Sequence, residues 1–306
     1  MITMIDPILF TIELGRFSLS IYWYGVLVSL GIVVASLISA KEVEFRKEDP
    51  EHVWSALVWM LIAGIIGSRL WYVANDILGG GTRYVENPIE ILNIKQGGLH
   101  FYGGLLFGAI ALLIYTFKYK IDVRLFLDSI APATLIGQAV ARPANFINQE
   151  LYGQPTELPW GIRIAPHARL QQWQDMNAFP YETTHFHPAF AYEMIWNFIA
   201  AGVLIWIGRR FNNKVKPGTL FAGWLVLAGV GREIIEFFRP DQPRIPGTDI
   251  SFTRVVAGLM TLLGILVLLA RYKILKIPFL NMGSDVYKIT FEAGKESETD
   301  KGTESI

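Results

Sequence analysis

Seven apolar stretches divide this chain, at residues 18–40, 53–74, 99–117, 125–146, 188–208, 219–238 and 252–272. Each is near the ~20 residues a helix needs to cross a bilayer. The pattern predicts an all-α polytopic membrane protein with about seven transmembrane helices, since helices satisfy their own backbone groups in lipid. The fourth and sixth stretches are interrupted by polar residues. Residues 1–280 read as one membrane domain without internal repeats, and 281–306, ending KESETDKGTESI, reads as a disordered cytoplasmic tail.

Basic residues set the orientation. Lys41, Arg46 and Lys47 follow the first stretch, Lys118, Lys120 and Arg124 the third, Arg209, Arg210, Lys214 and Lys216 the fifth, and Arg271, Lys273 and Lys276 the seventh. The opposite loops are longer and poorer in Lys and Arg, which places the N-terminus outside and the C-terminus in the cytoplasm. No cleavable signal peptide is evident. Two outer excursions stand out. Residues 75–98 hold Gly79-Gly80-Gly81 and an amphipathic PIEILNI suited to the interface. Residues 149–187 carry Trp160, Trp173, Phe179 and Tyr181, aromatics suited to the headgroup level and to an ordered loop.

Composition sharpens this picture. Charged residues are 18% of the 306, below the ~25% of soluble domains. Mean hydropathy is +0.36. Zero formal net charge predicts no nucleic-acid partner. The absence of cysteine excludes disulfides, zinc–thiolate sites, iron–sulfur clusters and a cysteine nucleophile within the chain. No cofactor is expected.

The chemistry concentrates where arginine meets hydrocarbon. An arginine at bilayer depth costs roughly 2.5–3.5 kcal/mol on insertion scales, so it ordinarily faces a polar cavity. Arg142 ends the fourth stretch beside Asn145, Asn148, Gln149 and Glu150. Pro143 follows it and frees a carbonyl near position 139. Snorkelling to the interface is the bland alternative for Arg142. Arg232, Glu236 and Arg239 share a helical face in GREIIEFFR, either as a site or as an ion pair between helices. Together the two arginines predict a site for an anionic lipid headgroup.

Other motifs carry less. Gly97-Gly98-Leu99-His100-Phe101-Tyr102-Gly103-Gly104 reads first as close helix packing, with His100 and Tyr102 on one side of an extended entry. Tyr22-Trp23-Tyr24-Gly25 reads as an interfacial anchor. His185-x-His187 is a weak metal pair, and His187 suits a hydrogen bond at a helix start. Glu193 within the fifth stretch needs a partner, for which Arg69 or Arg254 would serve.

In order along the chain, YWYG (22–25), GSRLWY (67–72), GGLHFYGGLLFG (97–108), ARPANFINQELYG (141–153), HPAFAYE (187–193) and GREIIEFFR (231–239) resemble the prolipoprotein diacylglyceryl transferases of bacteria. The blocks reach to about residue 272, and the R-x-x-N-F-x-N-x-E block is the most specific. The resemblance implies an inner-membrane enzyme with its active site towards the outer face. Such an enzyme moves the diacylglyceryl group of phosphatidylglycerol to the lipobox cysteine of a prolipoprotein signal peptide, giving a thioether and glycerol phosphate. It also implies that Arg142 contacts phosphatidylglycerol and that Asn145, Asn148, Glu150 and Gly153 complete the signature. Arg232 and Glu236 fall on the family's second polar pair, and Tyr24 on its early tyrosine. Two departures occur. Many members carry His-Gly-Gly where this chain has Tyr102-Gly103-Gly104, with His100 two residues earlier, and many carry Gly where this chain has Gln149.

The expected catalytic residues are therefore Arg142 and Arg232, neutralising the leaving phosphate, with Tyr102 and His100 orienting substrate. Tyr24, Arg69, Gly103 and Gly104 are expected to line the lipid site. A membrane transporter or channel with an arginine-lined anion path is the rival reading. It would predict inverted repeats or paired broken helices.

Overall fold

The structure, a computed structural model, describes residues 5–15, 17–93, 97–239, 242–276 and 284–291. It is mostly helical. The helices are α1 (Trp23–Phe45), α2 (Glu51–Leu78), α3 (Arg83–Glu86), α4 (Phe101–Lys118), α5 (Val123–Ala141), α6 (Pro143–Ile147), α7 (Ala189–Arg210), α8 (Thr219–Glu236) and α9 (Phe252–Arg271). Among the described residues, six are long and apolar enough to cross a membrane: α1, α2, α4, α5 continued through α6, α7 and α9. The remaining expected span, α8, is an 18-residue helix. Its last turns carry Arg232, Glu233 and Glu236, and it falls outside that group. Apolar side chains such as Leu30, Val33, Ile62, Ile114, Trp206 and Leu259 lie exposed, as expected where lipid replaces water.

The first stretch is not helical from its start. Residues 17–22 form a strand. β1 (Ile8–Leu14) and β2 (Phe17–Tyr22) pair antiparallel around Gly15, whose φ of 61° suits the turn. The backbone N–H of Trp23 then donates to the Pro7 carbonyl at 3.0 Å as α1 begins. Alternation in FSLSIY is a strand period, concealed at the head of a long apolar run.

By its contacts the chain divides into two compact units. The first takes residues up to Ile38 together with Leu127–Val286. Here α8 packs between α7 and α9. Gly229 and Gly264 permit the α8–α9 approach, where an added Cβ would meet the carbonyls of Ala257 and Ala222. Asp128, fully buried on α5, accepts from the backbone N–H of Gly218 (2.6 Å) and Phe221 (2.7 Å) and so caps α8 from outside the helix.

The second unit takes Ser39–Phe126 and the segment from Tyr287. Here α2 packs on α4 through Gly67, Gly103 and Gly104, each of which would collide with the facing helix if it carried a Cβ. Of the expected tail, residues 292–306 and 281–283 lie outside the described residues. Within 284–291, Thr290 donates its N–H and hydroxyl to buried Glu48 at 2.9 and 3.1 Å. The Lys288 N–H donates to Asp122 at 3.1 Å.

The loop between α6 and α7 has its own core of Tyr152, Ile164, Trp173 and Phe186. Strands β3 (Pro155–Thr156) and β4 (His185–Phe186) close it. Trp173, expected at the headgroup level, instead fills this core, because a loop of this length needs apolar residues of its own to stay compact. Trp160 stays exposed.

Candidate active site in the first unit

The site begins at a break in a helix. Pro143 cannot donate, so α5 ends at Ala141 and α6 restarts at Pro143. The carbonyl this frees, that of Ala139, is taken by the Arg142 N–H at 3.2 Å, an N–H it shares with the Gln138 carbonyl. The break turns the Arg142 guanidinium towards Glu193 on α7, with which it forms an ion pair. Its Nη1 donates to Asn145 Oδ1 at 3.3 Å. Its Nε is buried with no partner among the described residues. The expected partner of Glu193 is thereby corrected: it is Arg142, not Arg69 or Arg254. Arg69 is engaged elsewhere, and Arg254 donates to Glu233 at 3.2 Å.

A chain of amides backs the arginine. Asn145, itself buried, donates from Nδ2 to Glu150 Oε1 at 2.9 Å, and Asn148 donates to the same oxygen at 3.2 Å. Glu150 is held in place by its own N–H, which donates to the Asn145 carbonyl at 2.9 Å. Gln149 (φ 53°) and Leu151 (φ 55°) flank it in the left-handed region, a strained conformation for residues with a Cβ. This is the physical reason a glycine suits position 149. Here Gln149 keeps the conformation and uses its side chain, whose Oε1 accepts the Ala165 N–H at 2.7 Å. Gly153 is buried where a Cβ would meet Phe238 O at 2.5 Å and His187 Cβ at 2.8 Å. Its N–H donates to the His187 carbonyl at 2.7 Å. Gly153 therefore shapes the site and offers no side chain to a ligand.

Arg232 supplies the second cation. Its Nη2 donates to Gln242 Oε1 at 2.7 Å and lies 3.4 Å from Glu236 Oε2. Glu236 also accepts from the Thr253 hydroxyl at 3.0 Å. Arg232 lies close enough to Arg239, Glu193, Glu236 and Arg142 to feel their charges. Gly231 permits this, since a Cβ there would strike the Trp196 indole. Glu193, Gln242 and Thr253 were not among the expected site residues. Glu193 was legible as a carboxylate within an apolar run, whereas nothing in the spacing marks the other two.

Tyr24 opens α1 and is 47% exposed. His187, expected to hydrogen-bond at a helix start, has Nδ1 3.0 Å from Tyr192 Oη, and the Trp160 indole N–H donates to the same oxygen at 2.8 Å. Burial lowers the His187 pKa from its ordinary value.

The remaining expected residues belong to the second unit. Arg69 is buried and spends every donor on backbone. Nε donates to Ile91 O, Nη1 to Gly97 O and Gly98 O, and Nη2 to Glu90 O and Asn93 O, at 2.6–3.3 Å. The rings of Tyr84 and Tyr72 lie 5.2 and 5.7 Å from the guanidinium carbon. Arg69 thus fastens residues 90–93, 97 and 98 and has no donor left for a lipid phosphate. Gly103 and Gly104 serve the α2–α4 contact described above, the packing role. His100 precedes α4, receives no side-chain cap bond, and has a buried Nδ1 with no partner among the described residues. It stacks near Trp71 (centroids 6.1 Å) and Tyr102 (5.6 Å), and Tyr102 is 44% exposed.

Known proteins carry the same arrangement of sequence. Residues 7–270 match the family model described as prolipoprotein diacylglyceryl transferase. A phosphatidylglycerol–prolipoprotein diacylglyceryl transferase from Chloroflexus aggregans is 34% identical over 244 residues, covering 78% of each chain. One from Enterococcus faecalis is 30% identical over 280 residues, covering 92% of this chain and 97% of its own. One from Leifsonia xyli subsp. xyli is 35% identical over 254 residues, covering 78% and 73%. The rival transporter reading finds no support among them. With the match running over nearly the whole chain, this multi-pass membrane protein belongs to the prolipoprotein diacylglyceryl transferase family.

Proposed function

We propose that this chain transfers the diacylglyceryl group of phosphatidylglycerol to the thiol of a lipobox cysteine in a prolipoprotein signal peptide, the first step of lipoprotein maturation. The thiolate sulfur attacks the glyceryl carbon of the lipid. The carbon–oxygen bond to phosphate breaks, and its electron pair leaves on the phosphate oxygen. The products are a thioether and glycerol phosphate, with the thiol proton passing to a base or to water. The cysteine arrives with the substrate, which suits a chain that has none.

The observation that carries this reading is that Arg142 and Arg232 feel each other's charge, each held by a carboxylate and an amide and each with N–H donors unspent among the described residues. A guanidinium fork matches phosphate oxygens bidentately. Charge that grows on the leaving group is met by cations already in place, and one lost donor of this kind costs roughly 10²–10³ in rate. The same positive field raises the thiolate fraction of a cysteine whose ordinary pKa is about 8.5. In this reading Asn145, Asn148 and Glu150 hold Arg142, and His100 and Tyr102 orient substrate. The chain sits in the bacterial inner membrane, N-terminus outside and C-terminus in the cytoplasm, with the site towards the outer face. The basic loops support that orientation.

The test is direct. Purified protein in phosphatidylglycerol-containing detergent is given a lipobox peptide, and peptide mass is followed beside Arg142→Ala. A diacylglyceryl mass gain that falls in the variant is expected. No gain with wild type across several anionic lipids and peptides would defeat the proposal.

A further inference from the structure

A cavity of about 270 Å³ opens where α8 ends and α9 begins, and Gln242 joins it to the site, since it lines the cavity and accepts from Arg232. The charges around it are spent on one another. Arg244 pairs with Asp249 at 3.0 Å, Arg254 with Glu233 at 3.2 Å and Glu236 with Arg232 at 3.4 Å, and buried Arg239 is not free either. Uncharged groups are what remain. Arginine can only donate, so the Gln242 oxygen is the atom turned to Arg232, and its NH2 keeps donors that meet no acceptor among the described residues. Gln154, also on the wall, donates from Nε2 to the Phe237 carbonyl at 3.1 Å, which leaves its Oε1 without a donor among the described residues. The Ser251 hydroxyl is already taken by Thr253 and the Arg254 N–H. The wall thus offers amide donors at 242 and an amide acceptor at 154. A hydroxyl, which both donates and accepts, matches that pair. By liquid volume the cavity has room for about nine waters. That accommodates a three-carbon polyol and excludes two acyl chains.

We propose that this cavity reads the uncharged polyol of the lipid headgroup, with Gln242 and Gln154 as the residues that recognise its hydroxyls. The inference rests on the transferase reading above and adds to it the source of headgroup selection. Arginines bind the phosphate, which every phospholipid has, and so cannot by themselves tell one headgroup from another. A phosphate held by Arg232 lies beside Gln242, and the polyol that follows the phosphate reaches this wall. An ammonium headgroup or a second phosphate would find the cavity's counter-charges already paired. A headgroup without hydroxyls would cover the two amides and leave them unpaired, which penalises that lipid.

The experiment compares two lipids with the same acyl chains, phosphatidylglycerol and phosphatidylpropanol, whose headgroup keeps the phosphodiester charge and has no hydroxyl. Thioether formation on a lipobox peptide is followed with the detergent-solubilised full chain, for wild type, Gln242→Leu and Gln154→Leu. The quantity read is the ratio of kcat/KM for the two lipids, in which a general loss of turnover or of folded protein cancels. Gln242 also holds Arg232, so its variant is expected to slow both lipids; Gln154 makes no contact with Arg142 or Arg232 among the described residues and keeps the test independent of that effect. Wild type should prefer phosphatidylglycerol by about tenfold or more, and each substitution should cut the preference by about fivefold, the worth of one neutral hydrogen bond. Equal use of the two lipids by wild type, or a preference that survives both substitutions, overturns the proposal. Failure of the transferase reading shows separately, as the absence of thioether from wild type with either lipid.

Discussion

Arg69 and Arg142 both sit in apolar helices, and the difference between them lies in how their donors are used. Arg69, on α2 in the second unit, gives all its N–H groups to backbone carbonyls at 90, 91, 93, 97 and 98. Arg142, at the α5–α6 break in the first unit, meets only Glu193 and Asn145 among the described residues and keeps a buried Nε without a partner there. Arg169, in the loop between α6 and α7, is intermediate: it donates to the carbonyls of Ile164 and Phe179 and lies 5.1 Å from the Phe186 ring, while its buried Nη2 has no partner among the described residues. Carbonyl acceptors are permanent parts of a fold, so an arginine saturated by them is a fastener. Carboxylate and amide partners leave a guanidinium charged, aimed and open to a further anion. A costly residue in a membrane segment therefore marks a function only when its donors are not already spent.

The largest effect tests the fastener. Arg69→Ala strands five carbonyl acceptors. An unmade buried hydrogen bond costs about 1–3 kcal/mol, and whole-protein stability is about 5–15 kcal/mol. The variant is expected to lose most of its folded yield in detergent, read by size exclusion and thermal unfolding. A normal yield with lost turnover would return Arg69 to the lipid site and erase the contrast.

Arg142→Ala should behave in the opposite way. Turnover is expected to drop about 10²–10³-fold, with folded yield close to wild type, because no backbone carbonyl depends on the removed side chain. A variant that fails to accumulate would make Arg142 a fastener as well.

Much of this contrast was visible in the sequence, and the part that was not has physical causes. An apolar period and a proline after Arg142 were enough to place a break and a polar cluster at 141–153. Asn145, Asn148 and Glu150 assemble there because they are near neighbours along the chain. The role of Arg69 was not readable, because its acceptors are carbonyls, which every residue has, 21–29 positions away. The partner of Glu193 depended on which helix faces α7. The strand at 17–22 was absorbed into an apolar run, although Gly15 and the alternation of FSLSIY marked it. Tertiary pairing and backbone acceptors are the two things that residue patterning conceals.

A smaller effect sharpens the comparison through pH. His187 joins Gly153 of the signature to Tyr192, next to Glu193. Burial lowers its pKa in the folded chain. Above the ordinary value of about 6.5 it is neutral in both states and its contribution is complete. As pH falls through that value the unfolded chain binds the proton first, so stability declines and levels off below the lowered folded value. The thermal midpoint should therefore drop between pH 7 and 5 by more in wild type than in His187→Phe. Parallel profiles would show that His187 does not contribute.

The smallest effect tests whether the strain beside Glu150 is real. Gln149 holds a left-handed backbone, which costs a residue with a Cβ about 1–2 kcal/mol. Its side chain accepts the Ala165 N–H, a bond worth about 0.5–1.5 kcal/mol. Gln149→Gly loses the bond and removes the strain, so its thermal midpoint should stay near wild type. Gln149→Ala loses the bond and keeps the strain, so it should fall below both. The order wild type, Gly, then Ala follows only if the backbone at 149 is selected for its left-handed form. If Ala and Gly unfold at the same temperature, the conformation is free and the family's preference for glycine there needs another cause. Turnover should follow the same order, since this turn aims Glu150 at the amides that hold Arg142.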